Sequence, residues 1–166
     1  MILFCSNENK LFKKAELLIP AIDALYLTTY PGLKEAFPVL KQITDTKWNI
    51  CFKIASLTTA MVSLIASDHK QKSRSKVGKK LKEVLDNEFD AEWCILFTDC
   101  NEFFHANMER LEKENNKIPL FAIADTMGLW MVRIMFSQAE AETERKELIR
   151  PFGILATKEF LEWWKD

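Results

Sequence analysis

The chain has 166 residues, 48% of them hydrophobic and 28% charged, with a formal net charge of −1. That length suits one domain with a real core; the apolar content excludes a disordered chain, and the near-zero charge excludes a global field drawing it to nucleic acid or membrane. Four glycines and five prolines are too few for the turns of an all-β domain.

The expected class is therefore all-α: a single irregular bundle of roughly six to seven helices covering residues 1–166. The first helical region spans 7–29, where Leu11, Ala15, Leu18, Ile22 and Leu25 share a face. Pro20 should kink or split it, and Tyr30-Pro31-Gly32 should end it as a turn. A short helix over 33–43 follows, broken or bent at Pro38.

The third helix opens at Asp45 or Thr46 as cap and runs to residue 68. Ile50, Ile54, Leu57, Met61, Leu64 and Ile65 give it a wide apolar face. The opposite stripe, with Ser56, Ala60, Ser63 and Ser67, is mostly small. Such a helix packs from two sides, so 48–68 is one of two expected central helices.

Residues 70–82 are strongly basic: Lys70, Lys72, Arg74, Lys76, Lys79, Lys80 and Lys82, with no acid among them. Their first part reads as a loop around Ser73 and Ser75, and a helix from Ser75 buries Val77, Leu81, Val84 and Leu85. Asp90 caps a helix from Ala91 to about residue 114, with Trp93, Phe97, Cys100, Phe104, Met108 and Leu111 in one stripe and Asn115-Asn116 closing it.

Pro119 suits the first turn of the next helix, which runs to Gln138 and is apolar almost all round, the pattern of a buried helix. It is the second central helix, with the methionines at 127, 131 and 135 as core. Glu140, Glu142, Glu144 and Glu147 continue it as a polar segment. Pro151-Phe152-Gly153 should break the chain, and Thr157 should cap a terminal helix carrying Phe160, Leu161, Trp163 and Trp164.

The N-terminal apolar run lacks the basic flank and length of a signal peptide. The longest charge-free stretch, 54–67, is short of the ~20 apolar residues of a membrane span. No membrane association is expected. Cys5, Cys51, Cys94 and Cys100 show no CxxC pair or metal-ligand spacing, so free, mostly buried thiols in a reducing compartment are expected, and the chain reads as cytoplasmic. Cys94, nearest the edge of its helix, is the most plausible reactive thiol.

Chemistry-bearing patterns are few. Glu102-x-x-His105, with Asp99 one turn earlier, matches half of a di-metal carboxylate motif. The other histidine, His69, supplies no second half. At about 100° per residue, Glu102 points away from the core stripe, so Asp99, Glu102 and His105 are weak metal candidates and no metal or other cofactor is called. No nucleophile elbow and no phosphate-binding glycine loop is present.

Asp125 and Arg133 stand out because both lie on a helix that otherwise looks buried. A buried charge needs a partner or a wet cavity. The two lie about 12 Å apart along the axis, so they either find partners on other elements or line a ligand pocket. The basic segment and the Trp163-Trp164 pair are the candidate partner surfaces, with Lys76, Lys79 and Lys80 as the named cations. Both tryptophans cannot face one way: one docks into the core, or the pair covers a partner.

The leading expectation is a non-enzymatic cytoplasmic interaction or regulatory module that binds a protein partner or itself. The first alternative is a small-molecule or metal-binding bundle, or an enzyme, with its site near Asp125 and Arg133. The second is nucleic-acid binding through 70–82, where no aromatic is interleaved for base stacking.

Overall fold

A computed structural model describes residues 4–67, 71–137 and 145–165, with side chains described from Asn9 and Lys72 onward in the first two stretches. Helices α1 (Phe4–Ala36), α2 (Asp45–Ala66), α3 (Gln71–Glu88), α4 (Ala91–Asn115), α5 (Ala122–Met135) and α6 (Lys146–Thr157) form an all-α bundle. A 3-10 turn, Pro38–Gln42, joins α1 to α2. No strand occurs among the described residues. His69, Lys70 and the acidic stretch 140–144 lie outside them.

Helix α2 is the hub, packing against α1, α4, α5 and α6. It starts where Thr44 accepts a hydrogen bond from the Lys47 amide, so the cap is Thr44 rather than Asp45 or Thr46. Trp48, Phe52, Ile54, Leu57 and Ala60 are all buried along it. By length and composition α2 could cross a membrane, yet more than half of its most apolar window is buried inside the bundle. Its apolar surface is satisfied by neighbouring helices. Helix α5 is the second buried element: Met127, Met131 and Met135 all sit in the core, as does Trp130.

Several expected breaks are absent. Helix α1 runs unbroken through Pro20 and through Tyr30-Pro31-Gly32. Each proline removes the donor for the carbonyl four residues earlier, here Glu16 and Leu27. Both lie on the exposed face, where water can serve those carbonyls. Packing then holds the last turns: Tyr30 stacks on Tyr26 at 5.1 Å and on Trp48 at 5.5 Å, and its hydroxyl donates to Asp45 at 3.0 Å. Contacts like these contribute roughly 0.5–1.5 kcal/mol each beyond burial.

Helix α6 likewise continues through Pro151-Phe152-Gly153. The carbonyl orphaned by Pro151 belongs to exposed Glu147. Phe152 is held edge-on to Trp48 at 4.7 Å. Helix α3 begins at Gln71, so Ser73 and Ser75 are helical rather than in a loop. Helix α5 begins at Ala122, after a turn in which the Ala122 amide donates to the Pro119 carbonyl; Pro119 precedes the helix.

Beyond α6 the chain forms turns instead of a terminal helix. Thr157 does not cap one: its hydroxyl donates back to the Gly153 carbonyl at 2.7 Å. The tail instead clamps two helices. Trp164 is buried and its indole N–H donates to the Ala60 carbonyl at 2.6 Å. Ser63 donates to the Leu161 carbonyl.

The directions of three helices follow from a few contacts. Tyr30 meets Trp48 and Asp23 pairs with Lys53 at 2.6 Å, so α1 and α2 are antiparallel. Arg74, early in α3, donates to the Ile65 carbonyl at the end of α2, and Phe89, just past α3, lines a pocket with Thr46 and Ile50 at the start of α2, so α3 is antiparallel to α2. Helices α1 and α3 are therefore parallel, in a register marked by Lys80 and Glu16 at 3.2 Å.

Candidate functional site

The largest described cleft, of about 600 Å³, opens between α4, the α4–α5 connection, α5 and α6. Its walls follow from the close crossing of α5 and α6. A Cβ placed on Gly128 would fall 1.7 Å from the Ile149 carbonyl oxygen, and one on Gly153 would fall 1.7 Å from that of Ala124. Only glycine permits backbones this close. The crossing brings Asp125 of α5 beside Arg150 of α6.

Arg150 grips Asp125 with two hydrogen bonds, Nε to Oδ1 at 2.9 Å and Nη2 to Oδ2 at 2.8 Å. This fork geometry is the favourable form of a surface pair. The bound carboxylate raises the Arg150 pKa above its ordinary value, through the hydrogen bond first and charge attraction second. The guanidinium also lies 4.9 Å from the Phe121 ring centre. On the facing wall, Asn107 donates to Thr126 at 2.6 Å and accepts from Arg110 at 2.9 Å. Leu111, Pro119, Ala122, Leu129 and Ile149 give the cleft apolar surface.

Immediately beside it, the α4–α5 connection carries three apolar side chains into solvent. Leu120 is 90% exposed, and Ile118 and Phe121 are each 44% exposed. The connection is set by Asn116, whose left-handed backbone (φ 52°) ends α4.

Of the other sequence candidates, Glu102 and His105 line one open pocket on α4 and the rest are dispersed. Arg133 is half-buried away from the cleft, its guanidinium 5.0 Å from the Phe103 ring. The structure thus joins Asp125 to Arg150 and leaves Arg133 apart. Asp99 accepts the Trp130 indole N–H at 2.7 Å, while Glu102 and His105 are exposed. No group of three metal-capable side chains forms among the described residues. Asp99 serves packing here.

Of the terminal tryptophans, Trp164 belongs to the core, and Trp163 is half-buried with its N–H donating to the Lys14 carbonyl at 3.3 Å. The pair does not form an exposed partner surface. Lys76 and Lys79 are exposed on α3. Lys80 is committed to Glu16 at 3.2 Å and Glu83 at 3.7 Å. Burial pushes the Cys51 and Cys100 thiols up to about 12, which leaves them inert; among the described cysteines Cys94 is the exposed one.

Sequence reasoning missed Arg110, Lys146, Arg150 and the exposed Leu120. The signal for Arg150 was the unpartnered Asp125, but reading Pro151-Phe152-Gly153 as a break hid the helix that answers it. Compared with known proteins, the chain matches no family model, no curated protein and no solved structure.

Proposed function

We propose that this chain is a helical interaction module that engages a protein partner at the α4–α5 connection. The observation that carries the reading is the exposed run Ile118, Leu120 and Phe121 on the connection whose Pro119 lines the cleft. Neighbouring exposed apolar side chains rimmed by charge are characteristic of interaction sites. An apolar side chain of the partner would enter between Leu111, Leu129 and Ile149. Arg110, Lys146 and Glu147 would make the polar rim. The free thiols among the described cysteines support a cytoplasmic setting.

The test compares the wild type with Ile118→Ser/Leu120→Ser by quantitative co-purification from cells and by sedimentation. Phe121 is kept so that its contact with Arg150 survives. The reading expects specific partners, or self-association, in the wild type and their loss in a variant that melts at the same temperature. An identical partner set and identical mass for both proteins would overturn it.

A second reading, small-molecule binding, has Asp125 at the cleft in its favour. Against it, both carboxylate oxygens are already engaged by Arg150. Mass lost between native and denaturing mass spectrometry would establish that reading in place of the first.

A further inference from the structure

We infer that the outward face of α1 is a self-association surface, on which a second copy of this chain docks antiparallel across a two-fold axis at Ala24. This face is separate from the α4–α5–α6 cleft. Helix α1 turns Ala15, Leu18, Ile22, Tyr26, Tyr30 and Leu33 into the core. Its opposite side carries Leu17, Pro20, Ala24, Leu27 and Pro31, all of them exposed, with Leu17 at 47% and Leu27 at 68%. The steps between these residues alternate between three and four, which is the spacing of a seam between two packed helices. The seam is apolar over about 21 Å. The acids beside it are turned away: Glu16 pairs with Lys80 of α3, and Asp23 with Lys53 of α2.

What selects a second copy is the symmetry of this face about Ala24. Pro20 and Thr28 lie four residues to either side, Leu17 and Pro31 seven, and Lys13 and Glu35 eleven. All six are exposed, and the helical period puts each within about 40° of Ala24 around the axis. An antiparallel copy therefore sets Ala24 on Ala24 and Leu17 of one helix level with Pro31 of the other. Leu27 falls between Pro20 and Ala24 of the other copy. The small side chain at the crossing lets the backbones approach, and the leucines fill the space on either side of it. The proline rings add apolar surface with no rotamer freedom to lose.

The ends of the seam fix the direction. In the antiparallel arrangement Lys13 of each copy faces Glu35 of the other, two attractive pairs related by the axis. A parallel copy would instead set lysine on lysine and glutamate on glutamate. An apolar centre closed by polar ends is the anatomy of a protein interface, whereas a membrane-surface helix needs cations along the length of its apolar row. One helix pair buries less than a standard interface, so the dimer is weak and depends on concentration.

Sedimentation velocity of the full chain between about 5 and 500 μM tests this. The wild type should move from monomer toward dimer across that range. Ala24→Glu places two carboxylates on the axis and should raise the dissociation constant about tenfold or more, while melting like wild type at the dilute end. Lys13→Glu and Glu35→Lys should each weaken the dimer by about tenfold. The double variant Lys13→Glu/Glu35→Lys should recover to within about threefold of wild type, because the swapped charges pair again only in the antiparallel arrangement. Ala24→Cys should form a disulfide-linked dimer under mild oxidation beyond any level seen in wild type, since residues on the axis approach their own copies.

A monomer throughout the range would overturn the inference, as would a dimer unchanged by Ala24→Glu. A dimer lost in Ile118→Ser/Leu120→Ser and kept in Ala24→Glu would overturn it in favour of the α4–α5 connection. A double charge reversal no tighter than either single variant would overturn the antiparallel docking.

Discussion

Gly128 and Gly153 meet where α5 crosses α6: a methyl group on Gly128 would stand 3.0 Å from the Gly153 amide nitrogen and 1.7 Å from the Ile149 carbonyl oxygen. The contact is backbone to backbone, so neither side can yield by rotating a side chain. Gly128→Ala and Gly153→Ala should each destabilise by about 1–3 kcal/mol or more, read as a lower urea midpoint at unchanged slope. The double variant should cost less than the sum, because one separation of the helices relieves both clashes. Gly32 provides the contrast. It is helical and exposed, and a Cβ there meets nothing within 4 Å. Gly32→Ala should stabilise by up to about 1 kcal/mol.

The two terminal tryptophans should behave very differently. Trp164→Ala removes a buried indole and its hydrogen bond to Ala60. It should cost about 3–5 kcal/mol in denaturant titrations. Trp163→Ala touches a half-buried ring and should cost less than half as much. Equal effects would refute the assignment of Trp164 to the core.

Thiol labelling separates the cysteines by environment. With iodoacetamide at neutral pH and peptide mapping, Cys94 should be modified in the native protein. Cys51 and Cys100, raised to about 12 by burial, should label only in denaturant, since the thiolate is the reactive form.

Acid should weaken one defined contact. The Lys34 hydrogen bond first, and then that of Tyr30, hold the Asp45 carboxyl below its ordinary value of 3.8. A depressed folded-state pKa stabilises above the unfolded value, and that stabilisation is lost as pH falls through the folded one. The Asp45→Asn variant should therefore melt below wild type at pH 6, and the gap should close as pH falls below 3.8. A gap that persists undiminished well below that value would show that charge is not the cause.

What could be read from the sequence depended on whether a signal was local. Asp90 capping α4, the Trp93-to-Phe104 stripe, Asn116 ending the helix and the buried methionines of α5 all follow from periodicity and caps, and all appear in the structure. The prolines misled because a helix break depends on whether the orphaned carbonyl reaches water. Pro20, Pro31 and Pro151 each follow an exposed residue four positions back, so the helices continue. Gly153 misled for a related reason: it is there to admit a neighbouring backbone, which nothing within its own helix reveals. The cleft needs α4, α5 and α6 together.

The tail that locks onto α2 has a consequence for biosynthesis. Trp164 reaches back 104 positions to Ala60, and the Lys165 carbonyl accepts from Lys14, 151 positions earlier. While residues 160–165 are still inside the ribosome, the slot beside Ala60 stands open and apolar. The earlier helices can form in that interval, but the core cannot close. Nascent chains in which Trp164 has not yet emerged should stay protease-sensitive and prone to aggregation, and the emergence of residues 160–165 would convert them abruptly to the native bundle.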